Sequence, residues 1–526
     1  MSRESLNATP DCTNVEMPAD GSSDRAARMT ASSPMVADMD TAAASPAPTS
    51  AVNAARKAPL SVYACMRSTS VAKREDVEAA MRSHVEASGV VPYEEGFALA
   101  IPSEASNAFL HANVESAVVS DLGASRRSIP RRFPPARARR RRVGFKCGHR
   151  TSTVPSLPPS AGDFDELRIP EGSPVSYHQL DLRVFAYQLD EDGPGEEMDG
   201  EDDVATFREW TLPSRDFHGL WESLVFDSDV KTRLTRYAGN ALLFSEREVD
   251  PNLIAWNRVV LLHGPPGTGK TTMCKALAQR LSTAFSKTYE SATLVEVNAH
   301  SLFSRWFSES GKLVGRLFQK IQDLCEDEKQ LVFVLVDEVE SLAAARKAAA
   351  SGGEPGDAIR VVNALLTQID ALKKNPNAMV LTTSNITEAI DVAFVDRADI
   401  KAYIGPPGLR ARYSILHSAT LELVGKGLVQ APGSMALPEG FNRIAIETVT
   451  AVLKGGIVND GTYANAALLR ASAACEGMSG RALRKLPFLA YAIEHRDGRC
   501  ELLDFLNAIA KAVMSERRDR EKLAMG

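Results

Sequence analysis

The 526-residue sequence contains no apolar run long enough to cross a bilayer. Its longest strongly apolar segment, Leu331–Val336, falls far short of the roughly 20 residues that a membrane-spanning helix needs. Residues 1–30 lack the apolar stretch behind a basic start that marks a secretory signal. The seven cysteines are an odd, scattered set without a C-x-x-C pair, which argues against a disulfide frame or a zinc site. These absences predict reduced thiols in an intracellular protein.

Aromatic residues are also few, at 6% of the chain, and residues 1–58 contain none. A segment of that composition buries too little apolar surface to offset the entropy of ordering it, so we predict a disordered tail over 1–58. The chain as a whole is 44% hydrophobic and 24% charged, which is typical of a soluble globular protein. A net charge of -6 excludes a nucleic-acid footprint over the whole surface and leaves room for local basic patches.

A small α/β domain is predicted over 59–208. Its signals are a strand at Leu60–Cys65, a helix around Val71–Val85 and an alternating strand at Leu180–Leu189. An arginine- and proline-rich stretch, about 123–163, interrupts the domain and carries nine arginines between residues 125 and 142. We interpret it as a solvated surface insertion, while Arg137–Arg142 leaves nuclear localisation or secondary nucleic-acid binding open.

Short β-branched runs alternate with helical stretches over 209–407. Alternation of this kind predicts a parallel sheet that is covered on both faces by helices. The five predicted strands are Arg258–Leu262, Thr293–Val297, Leu331–Val336, Ala378–Thr382 and Ile400–Ile404. Residues 408–526 are predicted to be mostly helical, and Phe505, Ile509 and Val513 lie on one face of the last helix.

A phosphate-binding loop follows the first of these strands. The segment Gly264-Pro265-Pro266-Gly267-Thr268-Gly269-Lys270-Thr271 fits G-x-x-x-x-G-K-[ST] and precedes a helix that begins near Thr272. Its backbone N–H groups and the helix N-terminus can hold phosphate oxygens, because both present partial positive charge. Lys270 is expected to reach the β- and γ-phosphates of ATP, and the hydroxyl of Thr271 is expected to bind Mg²⁺.

Two acidic residues end the strand that lies 67 residues after Lys270. Asp337 is predicted to bind Mg²⁺, and Glu338 is predicted to deprotonate the attacking water. A local role as helix caps would also fit these two acids, but it does not account for the phosphate loop upstream. Asn385 follows the next strand, and its side chain is a candidate to hold the water against the γ-phosphate. Together these residues predict a hydrolytic ATPase.

The sequence resembles the AAA+ ATPase core and, more closely, the pachytene checkpoint protein 2 family, also called thyroid receptor-interacting protein 13. The AAA+ likeness rests on Gly264–Thr271, Asp337-Glu338, Arg360–Leu366 and Asn385. The closer likeness rests on five longer runs: Phe217–Trp221, Asn257–Gly264, Trp306–Lys312, Asp391–Ile400 and Ser479–Phe488. It extends with gaps from about residue 60 to the C-terminus, and the arginine-rich insertion has no counterpart in the family pattern.

The resemblance implies a hexameric ring with nucleotide at each subunit boundary. It assigns Arg397 to the arginine that a subunit offers to its neighbour's γ-phosphate, although a structural salt bridge is the alternative for this residue. It assigns Arg481, in the helical lid over 408–526, to the nucleotide in the same subunit. It assigns Phe217–Phe226 to the segment that contacts the adenine base, with Leu220 and Val225 as the apolar candidates. Trp306, Phe307 and Ser308 match the pore loop that grips an extended polypeptide.

The family's substrates are HORMA-domain proteins, and its N-terminal domain recruits them, commonly with an adaptor. The resemblance therefore implies an ATPase that partly unfolds closed HORMA proteins in meiotic chromosome-axis regulation and spindle-checkpoint silencing. The expected location is the nucleus, possibly shared with the cytoplasm. The alternatives are a AAA+ remodeller of another client and a nucleotide-gated scaffold that does not hydrolyse ATP.

Overall fold

The computed structural model describes residues 57–120, 172–198, 205–299, 310–341, 357–385, 390, 392–431, 437–455, 463–494 and 500–525. The predicted insertion and all but the end of the predicted tail lie outside these ranges. No helix in the described part of the chain is both long and apolar enough to cross a membrane. The cysteines within these ranges are buried free thiols at positions 65, 274, 325, 475 and 500.

The N-terminal domain is built on a four-stranded sheet. Its elements are β1 (Ala58–Met66), α1 (Arg74–Ser88), β2 (Val90–Pro92), β3 (Ala98–Leu99), α2 (Ala108–Asn113), β4 (Val114–Ser120), β5 (Pro174–Ser176) and β6 (Leu180–Gln188). The sheet order is β3-β4-β1-β6, in which β1 runs antiparallel to β4 and parallel to β6. Helix α1 buries Val77, Met81 and Val85 against the sheet, as their helical spacing predicts. The helix begins at Arg74, however, and Val71 at the predicted start is 98% exposed.

The central domain contains a seven-stranded sheet in the order β13-β9-β12-β11-β10-β8-β7. Its elements are β7 (Gly195–Met198), β8 (Ala205–Leu212), α3 (Leu220–Ser223), α4 (Val230–Glu246), β9 (Val259–His263), α5 (Lys270–Ala284), β10 (Ser291–Asn298), α6 (Ser310–Cys325), β11 (Gln330–Asp337), α7 (Asp357–Leu372), β12 (Ala378–Ser384), α8 (Val392–Arg397) and β13 (Ile400–Tyr403). The five predicted strands are present and parallel, each within two residues of its predicted ends.

Two antiparallel strands extend the sheet beyond those five. Strand β8 pairs with β10, and β7 pairs with β8. The predicted domain boundary between residues 208 and 209 therefore falls inside β8. These two strands were not predicted, because β7 lies within the acidic sequence between residues 190 and 203 and β8 depends on its pairing with the distant strand β10.

Apolar side chains pack on both faces of the sheet. In β9, Val260 and Leu262 face the cluster that includes α4 and α5, while Val259 and Leu261 face the cluster that includes α6 and α7. This alternation places β9 in the middle of the core, where parallel strands are apolar on both sides. The phosphate loop that follows β9 is therefore anchored on a rigid element.

The C-terminal domain is a helical lid. Its elements are α9 (Leu409–Gly425), β14 (Val429–Gln430), α10 (Ile446–Leu453), α11 (Tyr463–Ala474), α12 (Gly480–Glu494), β15 (Cys500–Glu501) and α13 (Leu502–Met525). Phe505, Ile509 and Val513 of α13 are buried in the lid core, as predicted from their spacing.

Helix α5 also contacts the N-terminal domain. The guanidinium of Arg280 lies 3.1 Å from the ring centroid of Tyr63, and Arg280 is only 5% exposed. The adjacent residue Gln279 accepts from the N–H of Ser214 at 2.8 Å and donates to the Ser214 carbonyl at 2.9 Å, just after the end of β8. The helix that begins at the phosphate loop is thus packed against the N-terminal domain.

Candidate active site

The phosphate loop joins β9 to α5 in a tight backbone turn. Gly264 has a φ of 143°, and a Cβ there would overlap the carbonyl oxygen of Ile404. Gly267 has a φ of 75°, and a Cβ would lie 3.0 Å from the hydroxyl oxygen of Ser479 in the lid. Only glycine fits these positions, because a side chain would meet both steric strain and close neighbours. The loop thus keeps its backbone free to approach phosphate oxygens.

Lys270 lies at the first residue of α5, and its ammonium group is held inside the loop. Its Nζ donates to the carbonyl oxygens of Gly264 at 2.9 Å and Pro265 at 2.8 Å. Burial lowers the pKa of Lys270, while the nearby carboxylates of Glu340, Asp337 and Glu338 oppose that shift. The two hydrogen bonds hold the Lys270 ammonium group inside the loop, where phosphate groups would be bound.

A network of hydroxyl and carboxylate groups links the loop to the ends of β11 and β12. The Thr271 hydroxyl donates to both carboxylate oxygens of Asp337, at 3.0 and 3.2 Å, and the Thr383 hydroxyl donates to Oδ1 of Asp337. Hard oxygen donors of this kind suit Mg²⁺, which prefers carboxylate, hydroxyl and water ligands. Thr271 and Asp337 are the two that fit a Mg²⁺ ion bound with ATP.

Glu338 is held in a left-handed backbone conformation, with a φ of 59°. Its N–H donates to the Thr383 hydroxyl at 3.3 Å, and its carbonyl accepts from the Ser341 hydroxyl at 2.6 Å. Such a conformation costs a non-glycine residue free energy and is found where the surrounding contacts fix it. The backbone therefore turns away from the direction of β11 at Glu338, immediately after Asp337.

Asn385 directly follows β12, which lies between β11 and β9 in the sheet. It is half-buried and shares the carboxyl edge of the sheet with Asp337 and the phosphate loop. The N–H of Gly264 donates to the carbonyl of Ser384 at 3.2 Å, so the loop and the end of β12 are in contact. This edge is where open α/β sheets bind ligands.

A cavity of about 610 Å³ opens beside the loop, between the central domain and the lid. Thr268, Gly269 and Thr272 line one side. The other walls come from three segments, namely 223–228, 403–407 and the lid residues Ile415, Gly480, Arg481, Arg484 and Lys485. A space of this size suits a nucleotide, because ligand pockets range from about 300 to 1,000 Å³.

Leu220 does not line this cavity, which corrects its predicted place beside the base. Its half-buried side chain packs against the hydrophobic core of the central domain. The wall is formed instead by Leu224, Val225 and Phe226, which follow the short helix α3. Val225, the other predicted candidate, does line the cavity, whereas Leu220 at the start of α3 lies against the core.

The lid meets the loop at the start of α12. The N–H of Arg481 donates to the carbonyl of Gly267 at 3.0 Å, and its side chain lines the cavity. Arg484 donates to the carbonyl of Ser223 at 2.9 Å. Arg481 therefore lies beside the loop of its own chain, and its contact with the nucleotide stays a prediction.

Arg397 ends α8 and is paired within its own chain. Its Nη2 lies 2.7 Å from Oδ2 of Asp370 in α7, and its Nη1 donates to the carbonyl of Ala393 at 2.6 Å. Its side chain remains 26% exposed. The salt bridge that the alternative interpretation predicts is therefore present in the structure. The contact of Arg397 with a neighbouring subunit stays a prediction.

The predicted pore-loop residues Trp306, Phe307 and Ser308 lie outside the described residues. Thr383 was not predicted from the sequence, although the polar run at the end of its strand was an available signal. Two further acidic residues were not predicted: Asp227, which lines the cavity, and Glu340, whose Oε2 is buried without a hydrogen-bond partner. Glu340 follows the predicted Asp337–Glu338 pair closely in the chain, whereas Asp227 stands in no motif and only the fold brings it to the site.

Residues 260–406 match the ATPase family associated with various cellular activities (AAA), and residues 408–517 match the TRIP13-like, AAA+ ATPase lid C-terminal domain. The pachytene checkpoint protein 2 homolog of Oryza sativa subsp. indica is 56% identical over 336 residues, which cover 63% of this chain and 71% of that protein. The Homo sapiens homolog is 49% identical over 361 residues, covering 68% of this chain and 81% of that protein.

Among solved structures, C. elegans PCH-2 superimposes on this chain with a TM-score of 0.64 and a sequence identity of 28%. The match covers 88% of this chain and 100% of that chain. The likeness thus reaches beyond the matched ATPase and lid segments.

Proposed function

Because the chain belongs to the pachytene checkpoint protein 2 family of AAA+ ATPases, we propose that it couples ATP hydrolysis to the remodelling of HORMA-domain proteins. The chain is an ATPase with the AAA+ fold and a helical lid. The finer statement is that a homohexameric ring draws a closed HORMA protein into its pore and partly unfolds it. The relatives are pachytene checkpoint proteins, which supports a meiotic setting on chromosomes in the nucleus. A role in spindle-checkpoint silencing and a share of the protein in the cytoplasm belong to the same proposal.

The network around Asp337 carries the hydrolytic part of the proposal. Thr271 and Asp337 would hold Mg²⁺, which neutralises phosphate charge when it is bound. Lys270 and the loop N–H groups bind the phosphates, and Asn385 orients the attacking water. Glu338 accepts the proton of that water as its oxygen attacks the γ-phosphorus, and the bond from that phosphorus to the β–γ bridging oxygen breaks to release ADP and phosphate. Arg481 acts on the nucleotide in cis, and Arg397 acts on that of the neighbouring subunit.

The packing of α5 against the N-terminal domain supports the mechanical part. The helix starts at the phosphate loop with Lys270 and contacts Tyr63 through Arg280. We assign the N-terminal domain to recruitment of the client, with an adaptor, and Trp306, Phe307 and Ser308 to the grip on the client in the pore. Arg137–Arg142 remains a candidate for secondary nucleic-acid binding.

ATP hydrolysis by the wild type and by Glu338→Gln, each with and without a closed HORMA protein and its candidate adaptor, tests the proposal. We expect the client to raise wild-type turnover, and the variant to bind client and ATP without turnover. Glu326→Gln is a matched control, because Glu326 is exposed on the loop before β11. Hydrolysis that is lost in Glu338→Gln but indifferent to HORMA proteins would retain the ATPase mechanism and reject the client.

A further inference from the structure

The first helix of the lid takes its N-terminal cap from a distant part of the chain. Helix α9 starts after Gly408, which has no side chain and so cannot cap the helix itself. Asp227 supplies the acceptors: Oδ2 accepts from the N–H of Gly408 at 2.6 Å and Oδ1 from the N–H of Ala411 at 3.2 Å. A carboxylate is favoured there, because the helix N-terminus carries unpaired N–H groups and partial positive charge.

Asp227 also belongs to the wall of the nucleotide cavity. It ends the apolar run Leu224–Phe226, and all four of these residues line the cavity. A second lining segment, residues 403–407, leads directly into Gly408. One side chain therefore joins the segment that would contact the base to the start of the lid.

The close approach of Asp227 explains why glycine occupies position 408. Its backbone, with φ -74° and ψ -176°, is open to any residue. A Cβ at this position would nevertheless lie 2.5 Å from Oδ2 of Asp227. The Asp227 carboxylate thus excludes a side chain at position 408, so the hydrogen bond between these two residues requires glycine there.

We propose that Asp227 is a positioning residue, which couples the base-binding segment to the lid and so sets the lid against bound nucleotide. The lid is held to the central domain at two helix starts. At α12, the Arg481 N–H bonds the Gly267 carbonyl, and at α9 the Asp227 carboxylate bonds Gly408 and Ala411. Bound nucleotide fixes the position of the Asp227 segment, and the α9 cap passes that position to the lid that carries Arg481. This role concerns ATP hydrolysis and is independent of which client the protein remodels.

Steady-state hydrolysis and the release of a fluorescent ADP analogue, measured on the full-length protein, test this role. Asp227→Ala is expected to raise the KM for ATP and the ADP release rate by roughly three- to tenfold, because two charge-assisted but solvent-accessible hydrogen bonds are lost. The change in kcat should be smaller. Asp227→Asn, which keeps one acceptor oxygen, should fall between Asp227→Ala and the wild type.

The pair with Gly408 gives the decisive comparison. Gly408→Ala should impair nucleotide binding, and Asp227→Ala/Gly408→Ala should behave like Asp227→Ala alone, because the carboxylate that the methyl group would strike is absent. Gly425→Ala, at the other end of α9, is the matched control, since a Cβ there meets nothing within 4 Å.

A KM and an ADP release rate that stay within about twofold of wild type in Asp227→Ala would overturn the proposal, even if its melting temperature fell. Multiplying defects in the double variant would also overturn it, because independent sites add in free energy. If Gly408→Ala fails to fold, the order of KM values among Asp227→Ala, Asp227→Asn and the wild type decides the question.

Discussion

The carboxylate of Asp370 accepts hydrogen bonds from the Nε and Nη2 edge of the Arg397 guanidinium. Nε lies 3.1 Å from both oxygens, and Nη2 lies 2.7 Å from Oδ2. The Ala393 carbonyl accepts from Nη1 on the remaining side. The two side chains are 26% and 38% exposed, so this pair lies at the surface. A guanidinium held in this way is oriented before any second subunit approaches.

Arg397 is predicted to contact the γ-phosphate of the nucleotide that the neighbouring subunit binds. Asp370 is predicted only to orient Arg397. Arg397→Ala should lower kcat by about a thousandfold or more, the range of arginine fingers in comparable enzymes. Asp370→Asn should lower kcat by no more than about tenfold. Steady-state ATP hydrolysis checks both values.

Mixed rings distinguish this role from a structural one. Arg397→Ala subunits retain an intact phosphate loop, and Lys270→Ala subunits retain the arginine, so mixing them should restore part of the activity. No restoration, together with equal losses in Arg397→Ala and Asp370→Asn, would show that the pair acts only within one chain.

The pH dependence of the Arg397–Asp370 pair has a definite sign. Burial alone would raise the pKa of Asp370, but hydrogen bonds and charge from Arg397 and Lys373 outweigh it and hold the pKa below its usual 3.8. A depressed carboxyl pKa contributes stability that is present above the unfolded value and is lost as the pH falls through the folded value. The stability difference between wild type and Asp370→Asn should therefore be the same at about pH 5 and about pH 7 in urea unfolding. A difference that shrinks by pH 5 would contradict this.

Thr383 is predicted to matter for turnover, because its hydroxyl joins the two acidic residues at the end of β11. It donates to Asp337 and accepts from the N–H of Glu338. Thr383→Val should lower kcat by about tenfold or more, since removal of a hydrogen bond to a charged group costs about 1.5–3 kcal/mol. Thr382→Val is the matched control: its buried hydroxyl bonds the Val260 carbonyl on the neighbouring strand. Equal kinetic losses in the two variants would reduce the role of Thr383 to strand packing.

Arg258 is predicted to stabilise the fold without taking part in chemistry. Its guanidinium is 4% exposed and donates to the carbonyls of Ala378, Lys373 and Asn375 and to the Ser245 hydroxyl. Burial lowers the pKa of Arg258. Arg258→Met would leave buried carbonyls without donors and should destabilise the protein by about 3 kcal/mol or more. Thermal unfolding checks this against Arg518→Met, an exposed arginine on α13; similar midpoints would contradict it.

The parallel strands could be predicted from the sequence because each is a short, apolar run whose burial on both faces leaves a local pattern. Leu331–Val336 is the clearest case, since every residue in it is buried. Strands β7 and β8 have no such pattern. Glu209 faces Val295 across one pairing and Gly195 across the other, so the strand identity of that segment depends on partners far away in the sequence.

The residues of the candidate site also divide into those with a local sequence pattern and those without one. Residues of the phosphate loop and the Asp337–Glu338 pair stand in motifs whose spacing reflects their chemistry, and they were predicted. Asp227 could not be, because its partner Gly408 is 181 residues away and an acidic residue in a loop has no pattern of its own. The prediction for Leu220 was wrong for a related reason. The sequence does not show which of several apolar neighbours faces the cavity, because only the turn of α3 decides it.

Helix α5 fixes the distance between the phosphate loop and the contact with the N-terminal domain. Lys270 and Arg280 are ten residues apart in one helix, which corresponds to about 15 Å along its axis at about 1.5 Å per residue. Its own hydrogen bonds keep the helix stiff, so a movement of its phosphate-loop end also moves the end that contacts the N-terminal domain. A tilt of about 5° at the phosphate end moves the Arg280 end by about 1 Å. That is enough to shift a guanidinium on the Tyr63 ring without breaking any bond within the helix.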